Sequence, residues 1–503
     1  MFAHIQYASP SAFNAEKQDA NLALTASLSR PVHFRGRVIK ETFNLRCALR
    51  AFGQLIWSED NWAADSDFMG RVLDPVITVH PDRIWFEAFS QDMSAYGALI
   101  VDPGLFQTEG EIRYGTTNID FTAWLWGALG EMRSSRSTWL QIGAEGLTVA
   151  TQGGGGRFEQ KVDIPDRWVR GFLQLQGAMA LPGTRLQARP VDILSAIRFL
   201  QVNKAKVSPR ALRYEFTPDE PVNLVLEPWN HRIPLQTSKH HYAEPRVIRT
   251  WGRRRLRLLE PLLPFADNVE VYLKGRALPS FYAVQLPGMT FLLGLSGFSG
   301  NSFGDSGSFD LNTPSLGSDH SEQVLELLRE NFCQTTDQLT QALNLTSAET
   351  VQALTTLVHS GRVMYDIQQR EWRYRELFDP PITDVTHFFP PDARREEATQ
   401  LIRLGVQLTR LEAEDYRKVR RFRNPITGEP MEKEIIFPQW RVAGNCGEHH
   451  PEIVVSAEER LIFGQCDCAF FKEHLLNRGP CAHMLAIYEV SSPQRQNLTA
   501  KSE

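Results

Sequence analysis

The stretch CDCAFFKEHLLNRGPCAH, residues 466–483, holds half of the chain's six cysteines and ends in a histidine. Its candidate ligands follow the spacing C-x-C-x12-C-x-H. A C-x-C pair at a chain reversal can direct both sulfurs to one point, and the loop is long enough to bring the second pair beside it. Structural zinc sites use four such thiolate and imidazole ligands in a tetrahedron. The sequence therefore predicts a metal site at Cys466, Cys468, Cys481 and His483.

Three thiolates and one imidazole form a soft ligand set, which favours Zn²⁺ over Mg²⁺ or Ca²⁺. A catalytic zinc ion keeps one position open for water, whereas four protein ligands complete the shell here. We therefore expect the zinc ion to stabilise a small module and not to perform chemistry. Two alternatives are that the four residues are unconnected, or that nearby residues act as rival ligands: Cys446, His449, His450 and His474.

The residues around this motif form a recognisable order. QWRVAG (439–444), EIVVSA (452–457) and LIFGQ (461–465) predict short strands, and MLAIYEV (484–490) predicts a helix. A small sheet followed by C-x-C, a loop, and C-x-H opening a helix resembles the SWIM zinc-finger family over residues 437–490. The resemblance implies that Cys466, Cys468, Cys481 and His483 are zinc ligands. It also implies a module for DNA binding or protein–protein contacts.

The composition of the chain limits its class. It has 503 residues, a formal net charge of −5 and a pI of about 6.3, so it is not an electrostatic nucleic-acid binder as a whole. The N-terminus lacks the pattern of a signal peptide, and no apolar run is long enough to cross a membrane. We therefore expect a cytoplasmic protein without a membrane partner, in which clustered thiols are metal ligands and not disulfides.

The pattern of elements predicts an α+β multidomain fold. A Gly/Ser-rich run separates a large mixed region from a unit of three helices and a two-stranded hairpin, which resembles a winged helix. The predicted organisation is a mixed α/β N-terminal region at 1–300, a linker at 301–319, a winged-helix-like unit at 320–378, a charged helical connector at 392–436, a ββα-like SWIM module at 437–490 and a polar tail at 491–503.

The N-terminal region carries no recognisable catalytic motif. The run Gly153–Gly156 lacks a following Lys-Ser/Thr, so a hairpin tip is favoured over a phosphate loop. Isolated acids such as Asp102 and Asp120 have no partner at a diagnostic spacing, which predicts that the protein is not an enzyme. Short segments at 34–52, 114–121 and 255–267 resemble a bacterial family of stand-alone SWIM proteins. These proteins are often encoded beside MoxR-type AAA ATPases, which implies an ATPase-associated partner.

Two basic runs are candidate sites for nucleic acid or other anions. The first contains Arg253, Arg254, Arg255 and Arg257 without an intervening acid; the alternative is an interdomain salt-bridge patch against the acidic remainder of the chain. The second, RLEAEDYRKVRRFRN, contains Arg417, Lys418, Arg420 and Arg421 with interleaved aromatic residues. It can contact phosphates and stack on bases. The alternative is a solvated helix face.

The winged-helix-like unit is a poor candidate for reading DNA. Its predicted recognition helix, SAETVQALTTLVHS, contains no lysine or arginine, whereas major-groove readers bring such residues to bases and phosphates. Only the predicted wing offers basic residues, at Arg362, Arg370, Arg373 and Arg375. The sequence therefore favours a structural or protein-docking unit. The first functional hypothesis is a non-catalytic adaptor, and the second is a DNA-binding regulator or recombination accessory.

Overall fold

The computed structural model describes the following residues: 4–5, 11–15, 19–27, 32–57, 75–143, 162–163, 165–181, 183–207, 209–275, 278–297, 302–304, 320–384, 387–388, 393–423, 430–456, 461–474 and 480–502. The chain divides into two compact units, Met1–Phe389 and Pro390–Glu503. We call these the N-terminal unit and the C-terminal unit. The predicted linker at 301–319 and the run Gly153–Gly156 fall almost entirely outside the described residues.

The N-terminal unit is a multi-sheet α+β structure. Its strands are β1 (His4–Ile5), β2 (Ala12–Ala15), β3 (Asp19–Thr25), β4 (Phe34–Val38), β5 (Val76–Val79), β6 (Ile84–Phe89), β7 (Ala95–Val101), β8 (Phe106–Thr108), β9 (Gly115–Asn118), β10 (Ser137–Gly143), β11 (Val162–Asp163), β12 (Thr184–Ala188), β13 (Leu212–Phe216), β14 (Val222–Leu226), β15 (His231–Leu235), β16 (Arg246–Thr250), β17 (Asn268–Leu273), β18 (Ser280–Leu286), β19 (Met289–Leu295), β20 (Cys333–Gln334), β21 (Val363–Asp366) and β22 (Glu371–Tyr374). Its α-helices are α1 (Thr42–Ile56), α2 (Ala123–Ala128), α3 (Asp166–Ala180), α4 (Pro190–Val202), α5 (Ser321–Asn331), α6 (Thr336–Leu343) and α7 (Ser347–His359).

An antiparallel eight-stranded sheet forms the centre of this unit, in the order β12-β17-β18-β19-β7-β6-β5-β9. Strands β6 and β7 pair from Ile84 with Val101 to Phe89 with Tyr96. Both strands are buried along their whole length because α1 covers one face of the sheet and α3 covers the other. Strands buried on both faces read as continuous apolar runs without alternation. The other sheets are β2-β3-β10-β4-β8, β15-β14-β13-β16, β20-β22-β21 and the pair β1-β11.

The segment 320–378 belongs to the N-terminal unit and is not a separate body, as the predicted domain boundaries had it. Its elements follow the predicted order of three helices and a hairpin, with β20 added as a third strand. Two arginines are buried against the central sheet: Arg373 of β22, and Arg375, which directly follows this strand. Arg373 donates to both carboxylate oxygens of Asp82 at 2.9 Å, and Arg375 donates to Glu87 at 2.7 Å.

These contacts extend into a network of four buried ionic residues and one exposed acid, which we call the buried ion-pair network: Glu87, Asp366, Arg373 and Arg375 with the exposed Asp82. Arg373 also contacts Asp366 at 3.3 Å, and Tyr96 donates its hydroxyl to Glu87 at 2.7 Å. The side chains of Glu87 and Arg375 are at most 1% exposed. The predicted wing is therefore joined to the sheet through its arginines, and Arg373 and Arg375 do not face solvent.

Helix α7 begins at Ser347, with Thr346 as its N-cap. The Thr346 hydroxyl accepts from the backbone N–H of Glu349, whose carboxylate accepts from the Thr346 N–H at 2.8 Å. We expect Thr346→Ala to destabilise the N-terminal unit by about 1 kcal/mol, because one helix-end N–H loses its partner. Urea unfolding measures the change. The matched variant Thr355→Ala, within the same helix, should stay within about 0.5 kcal/mol of the parent protein; an equal loss in both variants would contradict the capping role.

Two buried histidines predict acid sensitivity of the N-terminal unit. Burial, followed by the Arg373 guanidinium, lowers the pKa of His80 to about 4, and burial lowers the pKa of His359 to about 4. An unfolded histidine titrates near 6.5, so below that pH the unfolded chain binds more protons and stability falls as pH drops towards 4. We expect a loss of about 1 kcal/mol per histidine between pH 7.5 and 5.5 in urea unfolding. His80→Gln should reduce this slope, whereas replacement of the exposed His241 should not.

The C-terminal unit consists of one antiparallel sheet and three helices. Its elements are α8 (Ala393–Leu404), β23 (Gln407–Arg423), β24 (Pro430–Asn445), β25 (Glu452–Ser456), β26 (Leu461–Gln465), α9 (Ala469–His474) and α10 (Ala482–Ser502). The sheet order is β23-β24-β25-β26. Apolar residues of α8, β24, β25 and α10 share one core, which includes Ala398, Trp440, Ile453 and Ile487.

Two sequence predictions for this unit are wrong. The charged helical connector at 392–436 is helical only in α8, and the rest consists of β23 and the first part of β24. The predicted polar tail at 491–503 continues α10 as far as Ser502, with Pro493 inside the helix. Ser491 and Arg495 of this segment are buried.

Candidate metal centre

The four predicted ligands lie where a strand and two helices meet. Cys466 directly follows β26, and Cys468 directly precedes α9. Cys481 and His483 flank the first residue of α10. The end of the sheet and the start of the last helix are therefore brought together at one point, as the sequence predicted.

One ligand atom from each of Cys466, Cys468, Cys481 and His483 lies within 4.8 Å of the other three. Around a tetrahedral Zn²⁺ with bonds of about 2.3 Å, sulfurs are separated by roughly 3.8 Å, so a small contraction would complete the shell. All four residues are buried, with at most 7% exposure. Nδ1 of His483 is buried and has no hydrogen-bond partner in the described part of the chain. The cluster can hold a metal ion.

The electrostatics of the cluster also fit a bound cation. Cys466 donates its S–H to the sulfur of Cys481, and this hydrogen bond, followed by burial, raises the pKa of Cys466 to about 12. The same hydrogen bond lowers the pKa of Cys481. The neighbouring Cys466 sulfur raises the pKa of His483. Adjacent buried thiols resist joint ionisation because their thiolates repel each other. A divalent cation would remove this cost, since it stabilises all three thiolates together.

Backbone N–H groups at the starts of α9 and α10 form hydrogen bonds with the sulfurs of Cys468 and Cys481. Phe471 donates its N–H to Sγ of Cys468 at 3.4 Å in the first turn of α9. A backbone hydrogen bond from Met484, at the start of α10, lowers the pKa of Cys481. Helix N-termini stabilise negative charge, so both helices favour the thiolate form that a metal needs.

The turn between β24 and β25 packs beside the cluster, and sequence reasoning had treated it only as a source of rival ligands. Sγ of Cys446 donates to the carbonyl of His483 at 3.7 Å, and the ring of His449 lies 4.4 Å from that of His483. Nδ1 of His449 is also 2.8 Å from the carboxylate of Asp467, which lies between two ligands. Neither Cys446 nor His449 joins the four-residue group found among the described residues. These residues orient the ligand loop from outside.

The first basic run is largely engaged within the N-terminal unit. It forms a 3-10 segment, Arg253–Leu259. Arg253 is buried and donates to the carbonyls of Ala211 and Glu227, and Arg255 forms a 2.7 Å ion pair with Asp92. Arg257 is half-buried, which leaves Arg254 as the exposed member of the four. The structure favours internal contacts over an anion site for Arg253 and Arg255.

The second basic run lies on a strand, so the alternative of a solvated helix face is wrong. Arg417, Lys418, Arg420 and Arg421 occupy consecutive and near-consecutive positions of β23 and pair with residues of β24 along its length. Its register partners are Ile436, Ile435, Lys433 and Glu432 respectively. The four candidates therefore lie on a two-stranded ribbon, in a different unit from the first run.

The comparisons with known proteins leave the chain without a family. No family model matches it, and no curated protein matches its sequence. Among solved structures, it is similar to the proliferating cellular nuclear antigen of Entamoeba histolytica, with 11% identity over 53% of this chain and 99% of that chain, and a TM-score of 0.33. It is also similar to the PCNA2–PCNA3 complex of Sulfolobus tokodaii, with 10% identity over 52% and 98% of the two chains and a TM-score of 0.34. Similarity at this level indicates neither a shared activity nor a shared partner.

Membrane insertion by a helix finds no support in the described residues. No helix there combines the length and the apolar composition needed to cross a bilayer.

Proposed function

We propose that this protein is a non-catalytic recognition protein whose C-terminal unit is stabilised by a zinc ion bound to Cys466, Cys468, Cys481 and His483. The observation that carries the proposal is the burial of these four donors within 4.8 Å of one another. Three sulfurs and one imidazole suit Zn²⁺, and four protein ligands leave no position for a reacting water. The zinc ion would therefore join β26 to α10 and fix the surface that the sheet presents.

The order of elements supports a SWIM-type zinc finger as the finer interpretation. Three antiparallel strands precede the C-x-C pair, and the C-x-H pair opens the last helix. The segment 320–378 fits a winged helix that has a structural role. Two of its wing arginines are used in the buried ion-pair network, and Arg362 contacts Glu322 at 2.6 Å.

A protein is the proposed partner, and an AAA-type ATPase assembly is the class that the family resemblance implies. Val351 on α7 is an apolar residue that is 51% exposed. Its replacement can test whether a partner protein docks on this helix. Affinity purification of the native chain followed by mass spectrometry tests this partner. Recovery of an ATPase that is lost with Val351→Asp would support it, whereas recovery of no protein above a mock purification would contradict it.

Nucleic-acid binding is the second candidate function. It is supported by the basic run on the ribbon formed by β23 and β24, because a two-stranded ribbon can follow a nucleic-acid backbone. This candidate requires the zinc-stabilised sheet to hold the ribbon in place.

Metal analysis tests the zinc site directly. We expect about one zinc ion per chain in protein isolated without chelator. Replacement by Co²⁺ should give the absorption of a tetrahedral thiolate site, with an intense sulfur-to-metal charge-transfer band in the near ultraviolet. Protein that carries no transition metal and does not take up Zn²⁺ or Co²⁺ would overturn the proposal.

A further inference from the structure

The distal part of the β23–β24 hairpin forms an arm that extends beyond the rest of its sheet. Strand β25 pairs with β24 only over Gln439–Ala443. Residues 415–423 and 430–438 therefore form nine register pairs without a third strand in the described part of the chain. At about 3.4 Å per residue the arm is roughly 30 Å long. Two strands alone are marginally stable in water, so a ligand that binds the arm would stabilise it.

The register separates the arm residues into two faces of different charge. Alternate residues of a strand lie on opposite faces, and register partners share a face. One face, which we call the basic face, carries Tyr416, Lys418, Arg420, Phe422, Met431, Lys433, Ile435 and Phe437. It has three cations and no acid. The opposite face, which we call the balanced face, has three arginines and three acids: Arg417, Arg421, Arg423, Asp415, Glu432 and Glu434.

The cross-strand pairs of the two faces differ in sign. Arg420 is the register partner of Lys433 on the basic face, whereas Arg421 is the partner of Glu432 on the balanced face. Like charges directly opposite each other destabilise a sheet, and opposite charges stabilise it. The basic face therefore places two cationic residues at one register position, where an anionic ligand would be favoured. The four basic candidates of the sequence divide equally: Lys418 and Arg420 belong to one face, and Arg417 and Arg421 to the other.

We propose that the basic face binds single-stranded nucleic acid, which deepens the second candidate function above and rests on it. The cations Lys418, Arg420 and Lys433 attract phosphates, and an aromatic residue lies on either side of them along β23. Combining a basic track with aromatic residues is how proteins bind single strands, because unpaired bases stack on aromatic rings. A duplex hides its base faces, so it would leave the five apolar residues of this face without a ligand.

A membrane surface fits the arm less well than a polynucleotide. An arm that inserts into lipid needs an apolar end, but the sequence between β23 and β24 reads NPITGE, residues 424–429, and contains an acid. The cations also occupy the middle rows of the basic face, between rows that contain aromatic residues. This order suits alternating contacts with phosphates and bases along a strand.

A charge-matched pair of variants tests the proposal in the full-length, metal-loaded protein. The probes are fluorescein-labelled oligothymidylate and oligouridylate of about 20 nucleotides, long enough for one site, and binding is measured by fluorescence anisotropy. Lys418→Glu with Arg420→Glu should weaken binding at least about tenfold and reduce the dependence of affinity on salt, because phosphate contacts are lost. Arg417→Glu with Arg421→Glu makes the same change in net charge on the balanced face and should weaken binding less than about threefold.

Further probes separate the other outcomes. Tyr416→Ala with Phe422→Ala should weaken binding about fivefold or more without changing the salt dependence, because stacking and not charge is removed. The proposal is overturned if neither oligonucleotide binds, if both charge pairs have equal effects, if a duplex of the same length binds more tightly, or if only phosphatidylserine vesicles bind. Zinc content and protein partners are measured on the same variants. Their retention would show that only this inference, and not the zinc-stabilised recognition unit, had failed.

Discussion

Replacing Cys468 with serine is expected to unfold the C-terminal unit and leave the N-terminal unit folded. Four of the buried residues in the small core of this unit are cysteines, and three of them belong to the candidate metal centre. Removal of one ligand leaves the coordination shell incomplete. The unit would then lose stabilisation by metal binding, which is on the order of 10 kcal/mol. Chelation of the parent protein should have the same effect, because it removes the same metal-binding free energy.

Hydrogen exchange followed by mass spectrometry measures the two units separately. Protection should disappear from β24, β25, β26 and α10 in Cys468→Ser and persist in β6 and β7. Cys446→Ser is the matched control, since its sulfur is buried beside the cluster but outside the four-residue group. It should keep its zinc and lose only about 1 kcal/mol of stability. Full zinc content in Cys468→Ser, or equal loss of protection in both units, would refute this division of roles.

Arg375→Met is expected to destabilise the N-terminal unit by about 3–5 kcal/mol. Glu87 would still accept a hydrogen bond from the Tyr96 hydroxyl, but it would lose its ion pair with Arg375. The side chain of Glu87 is not accessible to water, so water could not replace this ion pair. An unpaired buried charge is costly, whereas an apolar pair of similar volume is tolerated. The double variant Glu87→Met with Arg375→Met should therefore recover most of the lost stability.

Urea unfolding followed by tryptophan fluorescence measures these changes, since Trp85 and Trp168 lie in the core beside the network. The matched control is Arg329→Met, which removes an arginine from a pair with Glu376 that is about half exposed. Such surface pairs contribute about 1 kcal/mol or less. If Arg375→Met costs no more than Arg329→Met, the buried ion-pair network does not hold segment 320–378 on the sheet.

The metal cluster could be predicted because its signal is local. Two short motifs, C-x-C and C-x-H, define it, and the strand and helix beside them have clear apolar patterns. The buried ion-pair network gave no such signal. Glu87 and Arg375 are 288 positions apart, and an arginine in a predicted hairpin reads as solvent-exposed until its partner is known. Long-range pairs of this kind depend on the tertiary structure and not on the residues around them.

The arm shows how a real signal can be misread. The run RLEAEDYRKVRRFRN is rich in charge, which favoured a helix next to α8. Tyr416, Lys418, Arg420 and Phe422 nevertheless recur with the period of two that is typical of a strand. The matching alternation at Met431, Lys433, Ile435 and Phe437 lies beyond a Pro- and Gly-containing turn. Together the two segments indicate a hairpin, but the asymmetry of its faces becomes visible only once the register is known.

The buried pair of Glu87 and Arg375 also constrains how this protein can change over evolutionary time. Loss of either partner alone leaves an unpaired buried charge. An intermediate with a single substitution is therefore disfavoured, whichever residue is replaced first. Drift at these positions must pass through a costly step or occur nearly simultaneously. Descendants of this chain should therefore carry both charges or neither, and a lineage with only one should show a compensating replacement at Tyr96 or another neighbour in the sheet.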